Sequence, residues 1–408
     1  MAIKGRDHGV GAPDTPDRAG WDTHPVIRWL MADGRKIVEP KEFLAGFAAR
    51  LRAAGIDVTR MTTGVPILHP QMFSFSGLWQ LGKGVSERRY RADEGQSSSL
   101  DNSPIRIAYG GEPVRCRLTG PAEAGEFPIL ADLRREGITD YIVLPVPFAD
   151  GTSKALSLAT HRSGGFSDDD IALFKAMMPA VSFNLEVQAL RRVARTLLDT
   201  YVGRQAGSRV LDGQIRRGMG ETIRAVIWLC DLRGFTSLSE SLARDALIEM
   251  LNQYFGPMCD AVEADGGEVL KFIGDAMLAI FPVGDDEAAA CGRALAAART
   301  AQENLAEANR RRAAAGLQKM DYGLALHVGD VMYGNIGSDT RLDFTVIGPA
   351  VNLTARIESM CKDLDRSLLL SADFVRASGV EAAPLGEFVL KGVGARQPIY
   401  APTPAPVR

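Results

Sequence analysis

Two largely apolar runs, residues 269–273 and 276–281, are joined by only Gly274-Asp275. A connection of two residues leaves no room for a crossover, so the runs must fold back as an antiparallel hairpin with the Asp275 carboxylate at its tip. Around this hairpin the spacing predicts a strand over 225–231 and a helix over about 238–264. The hairpin strands 268–273 and 276–281 come next, then a helix over 287–314 and a strand over 322–328. A strand over 342–347, a helix over 350–361 and two short strands close the pattern. Strands and long helices alternating with antiparallel hairpins predict an α+β sandwich, a mixed and largely antiparallel sheet covered by helices.

The preceding half differs in composition. Residues 1–40 read as an N-terminal arm and helix, the first 23 rich in Gly, Pro, Asp and Arg. Phe43, Leu44, Phe47 and Leu51 recur at helical spacing and predict a helix ending near Gly55. Short apolar runs such as 104–108, 141–148 and 155–159 then alternate with turn residues, predicting a mainly antiparallel sheet with flanking helices. Ser167 followed by three aspartates predicts a helix start, and that helix runs to about Tyr201 with a bend at Pro179. Phe183, Val187, Leu190, Ala194, Leu197 and Tyr201 step by four and three. This stripe fits a short coiled-coil seam or a face packed on the helix's own domain. The connector is placed at 181–205.

Several function classes are excluded by composition. The 408 residues are 46% hydrophobic and 24% charged, with net charge −3, which suits a globular chain of about two to three domains and not a general nucleic-acid binder. No apolar run approaches the ~18 residues of a membrane span, and the N-terminus lacks the apolar core of a secretory signal. Five scattered cysteines (116, 230, 259, 291 and 361) without a C-x-x-C read as reduced packing thiols, as in the cytoplasm. His69 reads as a loop residue, His161 as a surface imidazole and His327 as a packed strand residue.

Three segments carry candidate chemistry. The strand ending at Asp231 runs into Leu232-Arg233-Gly234-Phe235-Thr236 and a helix. Free amides at a helix start form a phosphate seat, and an acid beside it holds a divalent cation or caps the helix. Asp275 at the hairpin tip supplies a second carboxylate, and magnesium needs only one or two from a protein when phosphates complete its shell. Asn352 and Arg356 lie four apart on a predicted helix and project from one face, suited to a ribose and a transferring phosphoryl group.

Taken together, Asp231-Leu-Arg-Gly-Phe-Thr, Lys271-Phe-Ile-Gly-Asp275 and the block from Thr345 to Arg356 closely resemble the catalytic domain of class III adenylate cyclases over 206–402. The resemblance implies a ferredoxin-like palm fold acting as a homodimer, with active sites shared across the interface. It implies two Mg2+ or Mn2+ ions at Asp231, Asp275 and the Leu232 carbonyl, and base selection by Lys271 and Thr345. Asn352 and Arg356 match the pair that orients the ribose and stabilises the transition state. Gly234, Phe235, Thr236 and Lys391 match phosphate contacts. The implied reaction is in-line attack of the ribose 3′-hydroxyl of ATP on the α-phosphate, releasing pyrophosphate. Thr345 stands where many members have Asp, and Gly323 where many have a phosphate-binding Arg. A guanylate or dual-specificity cyclase and a nucleotide-binding pseudo-cyclase are the alternatives. A diguanylate cyclase is rejected because Gly266-Gly-Glu-Val lacks that signature's second acid. Residues 41–180 resemble a GAF sensor domain in pattern, through 142–148, 155–159 and the Ser167 helix start, implying a small-molecule or protein signal.

Overall fold

Proline opens the first two helices, α1 (Pro25–Met31) and α2 (Pro40–Ala53), at a position where its missing N–H costs nothing. In this computed structural model the described residues are 24–69, 72–91, 102–122, 125–214, 216, 218 and 220–403. The expected arm over 1–23 therefore lies outside them. The chain divides into two compact units, 1–197 and 198–408.

In the first unit, α2 buries Phe43, Leu44, Phe47 and Leu51, the stripe read from the sequence. Strands β1 (Arg60–His69), β2 (Met72–Gln80) and β3 (Gly84–Arg91) precede α3 (Pro104–Tyr109). Then come β4 (Val114–Arg117), α4 (Pro128–Arg135), β5 (Asp140–Pro147) and β6 (Ser153–Thr160). The strands form one antiparallel sheet in the order β3-β2-β1-β6-β5-β4. Alternation along β5 sends Ile142 and Leu144 to a core with α2, and Tyr141 and Val143 to a second core with Leu130 and Leu133 of α4.

Two expectations need correction in this unit. The run 104–108 is helical, because Ser103 Oγ accepts from the Ile105 N–H at 3.3 Å and Pro104 presets the first turn. His69 belongs to the end of β1 and not to a loop, since its backbone pairs with Met72 across an irregular register.

The long helix α5 (Asp168–Tyr201) opens on a reciprocal cap. Ser167 Oγ accepts from Asp170 N–H at 3.2 Å, and Asp170 Oδ2 accepts from Ser167 N–H at 2.8 Å. Phe174, Met177, Val181, Leu185 and Ala189 pack into the first unit's core. Phe183, Leu190, Leu197 and Tyr201 on another face are exposed, 38% to 79%. The domain packing is done by a neighbouring stripe, and the stripe read from the sequence stays free of its own domain.

The second unit starts with α6 (Arg204–Leu211), β7 (Gly220–Leu232), α7 (Phe235–Ser241), α8 (Arg244–Ala264), β8 (Glu268–Ile273) and β9 (Ala276–Pro282). It continues through α9 (Glu287–Ala314), β10 (Tyr322–Gly337), β11 (Leu342–Ile347) and α10 (Pro349–Asp363). It closes with β12 (Leu368–Ser371), α11 (Ala372–Ser378), β13 (Ala382–Phe388) and β14 (Gln397–Pro402). The sheet order is β13-β14-β12-β10-β7-β9-β8, with β11 on β10. Only β10 and β12 run parallel. Trp228, Cys230, Phe281 and Leu326 meet α8 and α9 on one face. Ala225, Ile227 and Ile280 meet Ala206 of α6 on the other, where Ala325 also packs against Ile357 and Cys361 of α10. This is the expected α+β palm arrangement.

Strand β10 is longer than expected. It pairs with β7 from Tyr322 to Gly334, with β12 from Leu324 to Leu326 and with β11 from Met332 to Gly337. The helix expected over 238–264 is two helices, broken at Leu242, which is extended. Ser239 and Ser241 hydroxyls donate back to the Thr236 and Leu238 carbonyls at 2.7 and 3.3 Å, competing with the helical ladder just before the break.

Candidate active site

Strands β7 and β9 pair up to Cys230 and Met277, so the next residue of β7, Asp231, arrives beside the tip of the β8–β9 hairpin. Gly274 takes φ +67°, as the first position of a two-residue hairpin turn demands, and Asp275 follows it. The two carboxylates interact. Burial, a hydrogen bond with Asp275 and the charges of Asp275 and Glu358 push the Asp231 carboxyl up to about 7, while the Leu232 N–H donates to its Oδ1 at 3.0 Å. Two facing acids that resist joint ionisation are a donor set suited to a hard divalent cation. Among the described residues no group of three or more His, Cys, Asp or Glu could enclose a metal. The donor set fits an ion whose remaining ligands come from phosphate and water.

After Asp231 the chain turns sharply. Leu232 is buried, Gly234 is left-handed at φ +72°, and Phe235 and Thr236 open the seven-residue α7. Arg233 anchors this loop. Its N–H donates to the Asp321 carbonyl at 2.8 Å, and its Nη2 donates to the Cys361 and Arg366 carbonyls at 2.7 and 2.6 Å.

Lys271 on β8 hydrogen-bonds Asp343 Oδ2 on β11. Two residues along, Thr345 is 4% exposed and its Oγ1 has no hydrogen-bond partner among the described residues. A buried hydroxyl without a partner is costly, and a ligand amine would satisfy it. Asn352 and Arg356 lie on the exposed face of α10, and no hydrogen bond joins them to Asp231 or Asp275 among the described residues. Lys391 is exposed in a turn beside Gly392. The Asp231–Asp275 pair and the Lys271–Thr345 region are thus assembled within one chain, and Asn352 and Arg356 are displayed outward.

Two participants were not legible from the sequence. Gly323 pairs directly with Asp231, and the Glu358 carboxylate fills the space a side chain there would take. Burial chiefly, with the Asp275 charge, raises the Glu358 carboxyl to about 6 against the opposing pull of Arg233. The only sequence signal was a glycine in a strand, which often marks close approach by another group. Glu268 is the second. It is buried and accepts from Tyr333 Oη at 2.7 Å and from the Ala206 N–H at 3.1 Å, which fastens α6 to the sheet. His327 is buried against Ser371 Oγ at 2.9 Å, and burial lowers its pKa to about 4. Burial raises all five free thiols, in keeping with their reading as packing residues.

The raised Asp231 carboxyl has a pH consequence. Its folded value lies above the ordinary carboxylate value, so between the two the native state holds the extra proton and stability falls as pH rises. Thermal melts in chelator from pH 5 to 8 should show a smaller decline for Asp231→Asn than for the wild type. Identical slopes would remove the carboxyl pair as the cause.

The family described as the adenylate and guanylate cyclase catalytic domain matches residues 220–399. An adenylate cyclase of Anabaena cylindrica is 36% identical over 166 residues, covering 40% of this chain and 32% of the relative. Adenylate cyclase 1 of Rhizobium meliloti is 33% identical over 176 residues, covering 42% of this chain and 26% of the relative. The chain thus spans about a third or less of these relatives. The crystal structure of the adenylyl cyclase CyaB from P. aeruginosa aligns at 26% identity with a TM-score of 0.43, over 46% of this chain and 97% of that one. The segment bearing Asp231, Lys271, Asp275, Thr345, Asn352 and Arg356 belongs to the adenylate and guanylate cyclase catalytic domain family.

Proposed function

We propose that this chain is an adenylate cyclase that converts ATP to 3′,5′-cyclic AMP and pyrophosphate under the control of its N-terminal unit. The observation that carries the choice of base is the partnerless Thr345 hydroxyl on the strand whose Asp343 holds Lys271. Adenine offers a ring nitrogen that accepts from an ammonium and a 6-amino group that donates to a hydroxyl. Guanine presents a donor at that ring nitrogen, which opposes Lys271. The two curated relatives are named adenylate cyclases, which supports the same choice.

Asp231 and Asp275 would hold two Mg2+ or Mn2+ ions, with the Leu232 carbonyl as a further ligand. When bound, these ions supply charge neutralisation for the triphosphate and acidity for the ribose 3′-hydroxyl. Lys391 and the backbone of Gly234, Phe235 and Thr236 bind phosphate oxygens. Asn352 orients the ribose, and Arg356 compensates charge on the α-phosphoryl oxygens as the 3′-oxygen attacks in line and pyrophosphate departs.

The outward display of Asn352 and Arg356 supports a homodimer in which each site takes this pair from the other copy. Met332 and Ile347, opposite each other across β10 and β11, and Phe272 and Ile273 on β8 are exposed apolar residues suited to such an interface. So is the free stripe of α5. The antiparallel sheet of the first unit supports a GAF-like sensor for a small-molecule or protein signal. No helix among the described residues is long and apolar enough to cross a membrane, and with the unbridged cysteines this supports a cytoplasmic location.

Purified protein with manganese and ATP, with cyclic AMP quantified, tests the reading. Wild type should form it, Asp231→Ala should not, and GTP in place of ATP should give a slower reaction. Absence of product under varied metal and nucleotide would favour the pseudo-cyclase.

A further inference from the structure

Lys271 owes its aim to a bulge. The pairing of β8 with β9 shifts between Val269 and Lys271, with Leu270 buried in the core. A bulge re-aims the side chain beside it, and here the ammonium meets Asp343 Oδ2 on β11. Those strands are not hydrogen-bonded neighbours, since β8 is the outermost strand beyond β9 and β11 pairs with β10. Asp343 and Thr345 are two apart on β11 and so share a face. Phe344 between them points into the core against Tyr333, which fixes the strand's orientation.

We infer that Asp343 is a positioning residue for base recognition, fixing the Lys271 ammonium at the purine edge in step with the Thr345 hydroxyl. The inference rests on the adenylate cyclase reading. An ammonium has three donors, and the bond to Asp343 uses one and leaves two for the base. The lysine stem has four rotatable carbons, and without an anchor the charge would be spread over many positions, most of them away from the ring nitrogen. Asp343 never touches the nucleotide in this scheme. Its loss weakens ATP and leaves GTP, which gains nothing from a well-aimed Lys271, nearly unchanged.

Two other roles are open to the same ion pair. Asp343 could simply staple β8 to β11, in which case its removal would lower stability and affect both nucleotides equally. It could compete with the base for the lysine, in which case its removal would improve ATP binding. Kinetics separate the three.

The full chain should be assayed with manganese and either ATP or GTP, as wild type, Asp343→Asn, Asp343→Glu, Lys271→Ala and the Asp343→Asn/Lys271→Ala pair, with thermal melts alongside. Asp343→Asn should raise KM for ATP about three- to tenfold with kcat within about twofold, as expected for one partly exposed charged hydrogen bond. Its kcat/KM for GTP should change less than about twofold, Asp343→Glu should recover most of the ATP affinity, and the double variant should be no worse than Lys271→Ala. An unchanged ATP-to-GTP ratio, a lower KM for ATP, or parallel losses with a depressed melting temperature would each overturn the inference. A wild type that prefers GTP, or turns over neither nucleotide, refutes the cyclase reading and the inference with it. An ATP-preferring wild type with an unaffected Asp343→Asn refutes the inference alone.

Discussion

Asp275→Ala should reduce cyclic nucleotide formation at least about 1000-fold while leaving the protein folded. The carboxylate sits at the tip of a hairpin whose strands are held by their pairing and by the core beneath β9, so its removal creates no cavity. Removing it also removes the hydrogen bond and the charge that help keep the neighbouring Asp231 protonated. The Asp231 carboxyl should move down toward the ordinary range, and the metal-free variant should melt no lower than the wild type at pH 8. Stability unchanged or raised while activity is lost is the signature of a functional acid. More than about a tenth of wild-type activity in a metal-saturated assay would rule out the paired-carboxylate site.

Arg356→Ala should be nearly as inactive, about 100- to 1000-fold down, because a fixed cation opposite developing phosphoryl charge is lost. The informative experiment is a mixture. If each site takes Asp275 from one copy and Arg356 from the other, a heterodimer of the two variants has one site with both defects and one with neither. Random pairing makes half of the dimers heterodimers, so activity should return to about a quarter of wild type. Mixed variants that dimerise and stay as inactive as either alone would place both residues in one chain's site and overturn the shared-site reading.

The sequence was most informative where function sits at strand ends. Asp275 could be set at a hairpin tip in advance because a two-residue turn permits only one topology, and Asp231 at the end of an apolar strand, while the pairing of that strand with the hairpin came from the fold. Asn352 and Arg356 were placed on one helical face by spacing alone. Glu358 was not legible, since its approach to Asp231 depends on α10 crossing the sheet at Gly323. The Lys271–Asp343 pair was hidden for a similar reason, joining strands that only the tertiary fold brings together. Local chemistry misled at 104–109, where a cap turned an apolar run into a helix, and at Leu242, where serine hydroxyls loosened one. On α5 the periodicity fitted either a seam or a face packed on its own domain, and spacing could not choose between them because a neighbouring stripe completes the domain core.

The position of the carboxylates in the sheet divides the site by local opening free energy. Asp231 rides on β7, an interior strand flanked by β9 and β10, so its amides should exchange only when the whole sheet opens. Lys271 rides on β8, the terminal strand, which has a neighbour on one side only. The strand bearing Asp231 is therefore as durable as the fold itself, and the strand bearing Lys271 can fray and reclose at a fraction of that cost while β7 keeps its register.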